Sequence, residues 1–250
     1  MNSDQPSIVR AATQFWRDLA AREGGLAATG ALLAGVWEFL RDSTPDRLRS
    51  RFGDAEYDWD HRVNTTSGAV GWRDRLLGQF LSPYQPTEPG LFHEMIDGLA
   101  EQTHLDFSKF TFIDLGSGKG RTLLMAAEYP FRRIVGVELL PSLHSIAQEN
   151  IAHCKSESQR CFAVGSVCAD AIEVPLPEGP LVIYLFNPFP EAGLRRFIAN
   201  LEQALQMNPR PVYVLYHNPL LERLLSESAA WRKIGGTHQY SIFESAQVTR

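Results

Sequence analysis

The chain is 250 residues long, 44% of them hydrophobic and 21% charged, and its formal net charge is −5. These values exclude a disordered or fibrous protein, and a chain of this length can bury roughly three quarters of its unfolded surface in one large α/β domain. Because nucleic-acid binding depends on Lys and Arg displacing counterions from phosphate, the negative charge argues against a nucleic-acid partner.

Cysteine usage bears on the compartment. Cys154, Cys161 and Cys168 occur without a C-x-x-C pair or a histidine cluster at metal-binding spacing. Sparse cysteines of this kind are typical of a reducing compartment, and they predict neither a zinc site nor another bound metal. The leading segment lacks the positive region and cleavage site of a signal peptide. We therefore expect a cytoplasmic protein.

The first part of the chain has the apolar periodicity of a helix. Apolar residues from Ile8 to Leu19 recur at a spacing near 3.6, and the pattern predicts an N-terminal helical extension over residues 1–50. Within it, the segment 24–40 has no charge before Glu38, but it is shorter than the about 20 apolar residues that a membrane span needs. We expect it to pack its apolar face on the domain, with docking on a membrane surface as the alternative.

Residues 51–90 are rich in Gly, Pro, Ser, Thr and Asp but keep Trp and Tyr, which predicts an ordered, lid-like loop rather than a flexible linker. From residue 91 to 250 the pattern alternates between strands and helices, which predicts a parallel sheet with right-handed crossovers. The final segments WRKIGG and QYSIFESA predict two strands joined by a glycine-containing turn, which adds an antiparallel part to the sheet.

A glycine loop follows the first apolar strand of this region, in the sequence FIDLGSGKGR from Phe112 to Arg121. Its glycines can adopt positive φ and let a ligand approach the backbone, and a helix beginning near Lys119 offers free N–H groups. Arg121 stands where the dinucleotide fingerprint requires its third glycine, and no G-K-[ST] ends the loop as in a P-loop. Both phosphate-binding patterns are therefore excluded.

The loop DLGSGKG, the acid Glu138 at the end of the next strand and Asp170 after the third strand together resemble the class I S-adenosylmethionine-dependent methyltransferases. The resemblance implies a Rossmann-like α/β fold with a mostly parallel seven-stranded sheet and an antiparallel C-terminal edge strand. It also implies S-adenosyl-L-methionine as cofactor. A carboxylate at Glu138 can accept both ribose hydroxyls, Asp170 suits the adenine amino group, and Asp114 suits the ammonium of the amino acid end. A purely structural loop is the alternative.

A candidate reacting segment follows the fourth strand, in YLFNPFP. It resembles the Asn-Pro-Pro-aromatic motif of enzymes that methylate amino or amide nitrogen, with Phe189 in place of the second proline. The resemblance implies that Asn187, Pro188 and Phe189 are catalytic. The alternative is a turn that ends the strand, since Asn-Pro favours turns. Tyr184, Phe189 and Tyr216 are candidate pocket walls, with core packing as the alternative for at least one of them.

A second resemblance lies in SPYQPTEPG, where Tyr84 and Thr87 form a Tyr-x-Pro-Thr element ahead of the glycine loop. It is similar to the non-SET protein lysine methyltransferases, in which this segment folds over the cofactor, and Asn64 to Gly68 is expected to belong to the same lid. Together the resemblances imply the following cofactor-binding residues: Tyr84, Thr87, Asp114, Gly116, Ser117, Gly118, Gly120, Glu138, Ala169, Asp170 and Asn187.

The predicted activity is transfer of a methyl group from S-adenosyl-L-methionine to an acceptor, with a protein lysine as the candidate. Two alternatives stay open. One is a small-molecule or nucleic-acid amino methyltransferase, and the other is a catalytically silent domain that binds the cofactor or a partner protein.

Overall fold

The computed structural model describes residues 7–42, 55–66, 85–154 and 156–246, and Tyr84 lies outside these ranges. The helices of the described chain are α1 (Ile8–Glu23), α2 (Gly25–Asp42), α3 (Ala55–His61), α4 (Pro89–Thr103), α5 (Arg121–Ala126), α6 (Pro141–His153), α7 (Glu191–Met207) and α8 (Arg223–Ser226). The strands are β1 (Thr111–Leu115), β2 (Arg133–Glu138), β3 (Val164–Cys168), β4 (Leu181–Leu185), β5 (Val212–His217), β6 (Trp231–Gly236) and β7 (Tyr240–Ser245).

In the described residues the strands form one seven-stranded sheet in the order β3-β2-β1-β4-β5-β7-β6. The first five strands are parallel, and β7 pairs antiparallel with both β5 and β6. The predicted Rossmann-like, mostly parallel sheet with an antiparallel C-terminal strand is confirmed, and β7 lies one position in from the edge strand β6. Strand order reverses between β1 and β4, which in open α/β sheets marks where ligands bind.

Helices cover both faces of the sheet because successive strand side chains point to opposite faces. On one face, Phe112 of β1 packs in a core with Phe92 of α4 and Leu123 of α5, and Ile151 of α6 packs against that core. On the other face, Ile113 of β1 packs with residues of α7 and α8. The carboxyl ends of the parallel strands therefore open between two helical layers.

The N-terminal helices α1 and α2 form a pair that is broken at Gly24, whose φ is 90°. Trp16 of α1 donates a hydrogen bond to Thr29 of α2 over 3.1 Å. The expectation that segment 24–40 buries its apolar face on the domain is wrong for three of its large side chains, Leu26, Leu33 and Trp37, which are 94%, 62% and 66% exposed. The apolar residues that repeat at helical spacing in α2 are therefore not the ones that pack on α1. Gly25 and Thr29 of α2 lie against Trp16 of α1, and Ala28 of α2 is buried.

Within the described ranges, no helix is both long and apolar enough to cross a bilayer. The same residues contain no group of His, Cys, Asp and Glu side chains arranged to hold a metal ion. The three cysteines are free thiols, of which Cys161 is buried and Cys168 is exposed.

Candidate functional site

The glycine loop lies at the carboxyl end of β1 with its backbone in left-handed conformations. Gly116, Gly118 and Gly120 have φ values of 84°, 54° and 83°, which side chains with a Cβ rarely adopt. A Cβ at Gly116 would lie 2.9 Å from the Cβ of Pro188. The loop therefore contacts the Asn-Pro-Phe segment directly, as two neighbouring strand ends in a parallel sheet allow.

Glu138, at the carboxyl end of β2, is joined to the loop. Its buried carboxylate accepts a hydrogen bond from the amide of Gly118 at Oε2 and one from the amide of Leu140 at Oε1, each at 2.8 Å. A carboxylate has about four acceptor positions, and these two bonds orient the group at the end of β2. The two segments that the sequence predicts to share a ligand are thus in contact.

Several amides of the glycine loop donate hydrogen bonds to carbonyls of the protein itself. Gly116 and Ser117 both donate to the carbonyl of Val137, and Gly120 donates to the carbonyl of Ser117. The following helix α5 starts at Arg121 and has only six residues. The amides of Gly116, Ser117 and Gly120 are therefore not available to a ligand carboxylate. Among the described residues, the buried Ser117 hydroxyl has no hydrogen-bond partner, and it is the polar atom of the loop that a ligand could satisfy.

Asp114 is the penultimate residue of β1, and its side chain is buried. The hydroxyl of Thr122, in α5, donates to its Oδ2. Burial raises the pKa of Asp114 to about 7, against the Thr122 hydrogen bond, and the nearby charge of Glu138 raises it further. In this position Asp114 anchors α5 to the sheet, and a neighbouring cation would favour its charged form.

We expect Asp114 to make the ligand-free protein less stable as the pH rises. Its native pKa lies above the value near 3.9 of an unfolded chain, so the native state binds the proton more tightly and this stabilisation is lost as the pH rises through about 7. Between pH 5 and pH 8 the loss is about 2.5 kcal/mol. Urea unfolding of the wild type and of Asp114→Asn at both pH values measures it. Equal changes in the two proteins would contradict the assignment.

A buried arginine takes the place of the absent third glycine. Arg121 donates from Nε to the Thr65 hydroxyl over 2.6 Å, lies 3.5 Å from Asp58 through Nη2, and places its guanidinium 4.9 Å from the ring centroid of Tyr57. Asp58 in turn accepts the amides of Thr65 and Thr66 at Oδ2, at 2.7 and 2.8 Å. These contacts hold α3 and the segment after it on the start of α5.

Lys119 makes a second attachment between the loop and the same segment. Its buried ammonium donates to Asn64 Oδ1 over 3.1 Å and to the carbonyl of Thr66 over 2.5 Å. Burial lowers its pKa to about 8, although the charge of Asp58 opposes the shift. Asn150 of α6 bonds both the backbone of Asn64 and the carbonyl of Lys119. The described part of the expected lid, residues 64–66, thus lies on the glycine loop, and residues 67 and 68 lie outside the described ranges.

A buried hydrogen-bond chain crosses the same face of the sheet. Thr87 bonds the Tyr184 hydroxyl over 2.8 Å, and that hydroxyl bonds Nδ1 of His217 over 2.7 Å. Burial lowers the pKa of His217 to about 4, against the opposing charge of Glu88, so the imidazole is neutral at neutral pH. Tyr184 belongs to the core, which corrects its interpretation as a pocket wall. His217 has no local sequence signal and was not predicted.

The Asn-Pro-Phe segment forms a fixed corner after β4. Asn187 has a φ of 46°, donates from Nδ2 to the carbonyl of Asn218 over 2.7 Å, and accepts the Tyr216 hydroxyl at Oδ1 over 3.0 Å. Phe189 stacks on Phe197 at 5.6 Å between centroids. The Asn187 carbonyl oxygen keeps a second acceptor position for a ligand. Tyr216 is buried and acts on the corner through its hydroxyl, which corrects its interpretation as a pocket wall.

The ends of β2 and β3 form the other side of the candidate site. The amide of Ala169 donates to the carbonyl of Glu138 over 3.0 Å, so the two strand ends adjoin. Asp170 is exposed, and its Oδ1 accepts the amide of Ile172 over 2.9 Å, which caps a turn. Leu139 is 38% exposed next to Glu138 and was not singled out from the sequence. An apolar residue directly after the strand-end acid is the signal that could have identified it.

The chain has low similarity to known proteins. No family model and no curated protein matches the chain. Among solved structures, an RNA methyltransferase from Salinibacter ruber in complex with S-adenosyl-L-homocysteine is 20% identical, with 66% of this chain and 95% of that chain covered and a TM-score of 0.42.

Ribosomal protein L11 methylase from Lactobacillus delbrueckii subsp. bulgaricus is 14% identical, with 67% and 83% covered and a TM-score of 0.44. A SAM-dependent methyltransferase from Leishmania major is 14% identical, with 62% and 72% covered and a TM-score of 0.42. At these values the Rossmann-like fold class of this chain rests on its own strand order and directions.

Proposed function

We propose that the chain is a class I methyltransferase that uses S-adenosyl-L-methionine. The observation that carries this proposal is the 2.8 Å hydrogen bond from Gly118 to Glu138, which unites the glycine loop and the strand-end acid. Both lie at the reversal of strand order, where open α/β sheets bind ligands. The contact of Gly116 with Pro188 adds the Asn-Pro-Phe segment to the same place.

The residues present suit the parts of this cofactor. Glu138 is an oriented carboxylate whose oxygens would accept the ribose hydroxyls, and Leu139 offers apolar surface beside it for the adenine. Asp170 and the backbone of Ala169 would serve the polar edge of the base. The three left-handed glycines keep side chains away from the amino acid end, and Asp114 below them would favour its ammonium.

S-adenosyl-L-methionine, when bound, supplies a methyl group that its sulfonium already activates. The chain must then hold the acceptor nitrogen close and neutral, and such positioning can contribute roughly 7 to 11 kcal/mol. The remaining acceptor position of Asn187 Oδ1 would orient the nitrogen. Half-buried Phe186, stacked on His217 at 3.9 Å, adds an apolar wall that disfavours a charged amine.

For the acceptor we propose a protein lysine, on the resemblance of the Tyr-x-Pro-Thr element to protein lysine methyltransferases. The burial of Thr87 and its bond to Tyr184 support a structured role for that element. We further propose the division into a helical extension (1–50), a lid-like segment (51–90) and a methyltransferase domain (91–250).

Calorimetry with S-adenosyl-L-methionine and with NAD tests the cofactor. We expect the first to bind and the second not to bind, and the reverse result would overturn the proposal. Incubation with methyl-labelled cofactor and a cell extract then tests the acceptor, with Glu138→Ala protein as control. Label that acid hydrolysis releases as methyl-lysine supports the lysine acceptor. Label in small molecules contradicts it, and binding without any transfer indicates a silent domain.

A further inference from the structure

Helix α1 contacts both helical layers of the domain at the carboxyl edge of the sheet. Near its start, Ile8 and Ala11 pack against Leu140 and Leu143, where α6 begins after β2. Near its end, Nη1 of Arg22 lies 3.5 Å from Glu191 Oε2, where α7 begins after β4. The helices α6 and α7 cover opposite faces of the sheet. A straight helix that joins their first turns must therefore cross the edge of the sheet.

The strand order defines what lies beneath this crossing. Strand β1 lies between β2 and β4, and the glycine loop projects from its carboxyl end. With 16 residues, α1 is about 24 Å long at 1.5 Å per residue, enough to pass from one helical layer to the other. The middle of α1 therefore lies above the glycine loop and the adjoining Asn-Pro-Phe corner.

One face of α1 points toward the domain. Ile8, Ala11, Phe15, Leu19 and Arg22 share that face at helical spacing. Its two ends make the domain contacts described above, and Phe15 and Leu19 between them are half-buried. Val9 shows the contrast, because it points elsewhere and is 74% exposed.

We infer that α1 covers the acceptor end of the site and that Phe15 and Leu19 form part of the acceptor pocket. This inference rests on the proposed function. The N-terminal extension is then part of the active site. The acceptor group must enter beneath an apolar helix face, which selects a slender nitrogen-bearing group such as an alkyl amine.

The ion pair between Arg22 and Glu191 holds the end of α1 only weakly. Glu191 also pairs with Arg195 at 2.8 Å and Arg223 at 2.6 Å, so Arg22 is the most distant of three partners. Partly exposed ion pairs of this kind contribute little, and Gly24 supplies a break directly after the helix.

Thiol accessibility tests the placement. Phe15→Cys and Leu19→Cys are compared with the matched control Val9→Cys on the same helix, using N-ethylmaleimide and circular dichroism to verify folding. Trypsin cleavage after Arg10, Arg17 and Arg22 separates the three positions, so peptide mass spectrometry measures each rate independently of the native cysteines. We expect the cysteines at positions 15 and 19 to react at least tenfold more slowly than the one at position 9.

Saturating S-adenosyl-L-homocysteine should lower the N-ethylmaleimide reaction rates at positions 15 and 19 by at least a further factor of about three relative to the ligand-free protein. It should leave the rate at position 9 unchanged. Equal rates at all three positions would overturn the placement of α1. So would an absence of added protection when calorimetry shows that the ligand binds. If calorimetry shows no binding, the proposed cofactor fails, and the comparison without ligand still decides whether this face of α1 is covered in the folded protein.

Discussion

Replacing Glu138 with alanine should weaken the binding of S-adenosyl-L-homocysteine roughly a hundredfold or more. Hydrogen bonds to a charged group contribute about 1.5 to 3 kcal/mol each, and the proposed ribose contacts use two of them. A loss of about 3 kcal/mol corresponds to more than a hundredfold in Kd. The variant also releases the amides of Gly118 and Leu140 from their shared acceptor, which loosens the loop. Calorimetric titration of both proteins measures the change.

Glu149→Ala is the matched control, since it removes the same charge from an exposed position on α6. We expect its affinity to equal that of the wild type. An unchanged affinity in Glu138→Ala, with a folded protein by circular dichroism, would show that the ligand binds away from this carboxylate.

The second large effect is expected on stability. Arg121→Ala should lower the free energy of unfolding by about 3 to 5 kcal/mol, the usual cost of removing one partner from a buried ion pair. It removes the buried guanidinium that lies 3.5 Å from the carboxylate of Asp58 and that donates to the hydroxyl of Thr65. The ring of Tyr57 also loses the guanidinium that lies over it. Urea unfolding followed by circular dichroism measures the loss.

An exposed arginine provides the comparison for this variant. Arg133→Ala, at the start of β2, should change the unfolding free energy by less than about 0.5 kcal/mol. If Arg121→Ala were as mild, the attachment of residues 57–66 to the glycine loop would contribute nothing to folding.

Local sequence signals predicted most of the sheet and its connections. Strands β1, β4 and β5 are short apolar runs, and the apolar periodicity of EAGLRRFIANLEQALQM predicts a helix with the bounds Glu191–Met207 that the structure shows. Pro141 marked the start of α6 because a proline tolerates the first turn of a helix. The positions of the glycine loop and Glu138 could be predicted for the same reason, since the loop directly follows β1 and Glu138 is the last residue of β2.

The buried polar contacts could not be predicted in this way. Arg121 and Asp58 are 63 residues apart in sequence, and Thr87 and Tyr184 are 97 apart. Composition predicts that charged side chains stay exposed, so a buried lysine and arginine beside the loop contradict the default expectation. The burial of Asp114 in β1 and its hydrogen bond from Thr122 also have no local signal in the sequence.

The corners after β4 and β5 share a property that can guide the identification of relatives. Asn187 and Asn218 both precede a proline, and both have a positive φ, of 46° and 47°. Asparagine tolerates this conformation far better than most residues, and the side chain of Asn187 bonds the backbone of Asn218. A change at one corner thus alters the support of the other. Paired Asn-Pro dipeptides at adjacent strand ends therefore define a search pattern independent of the glycine loop.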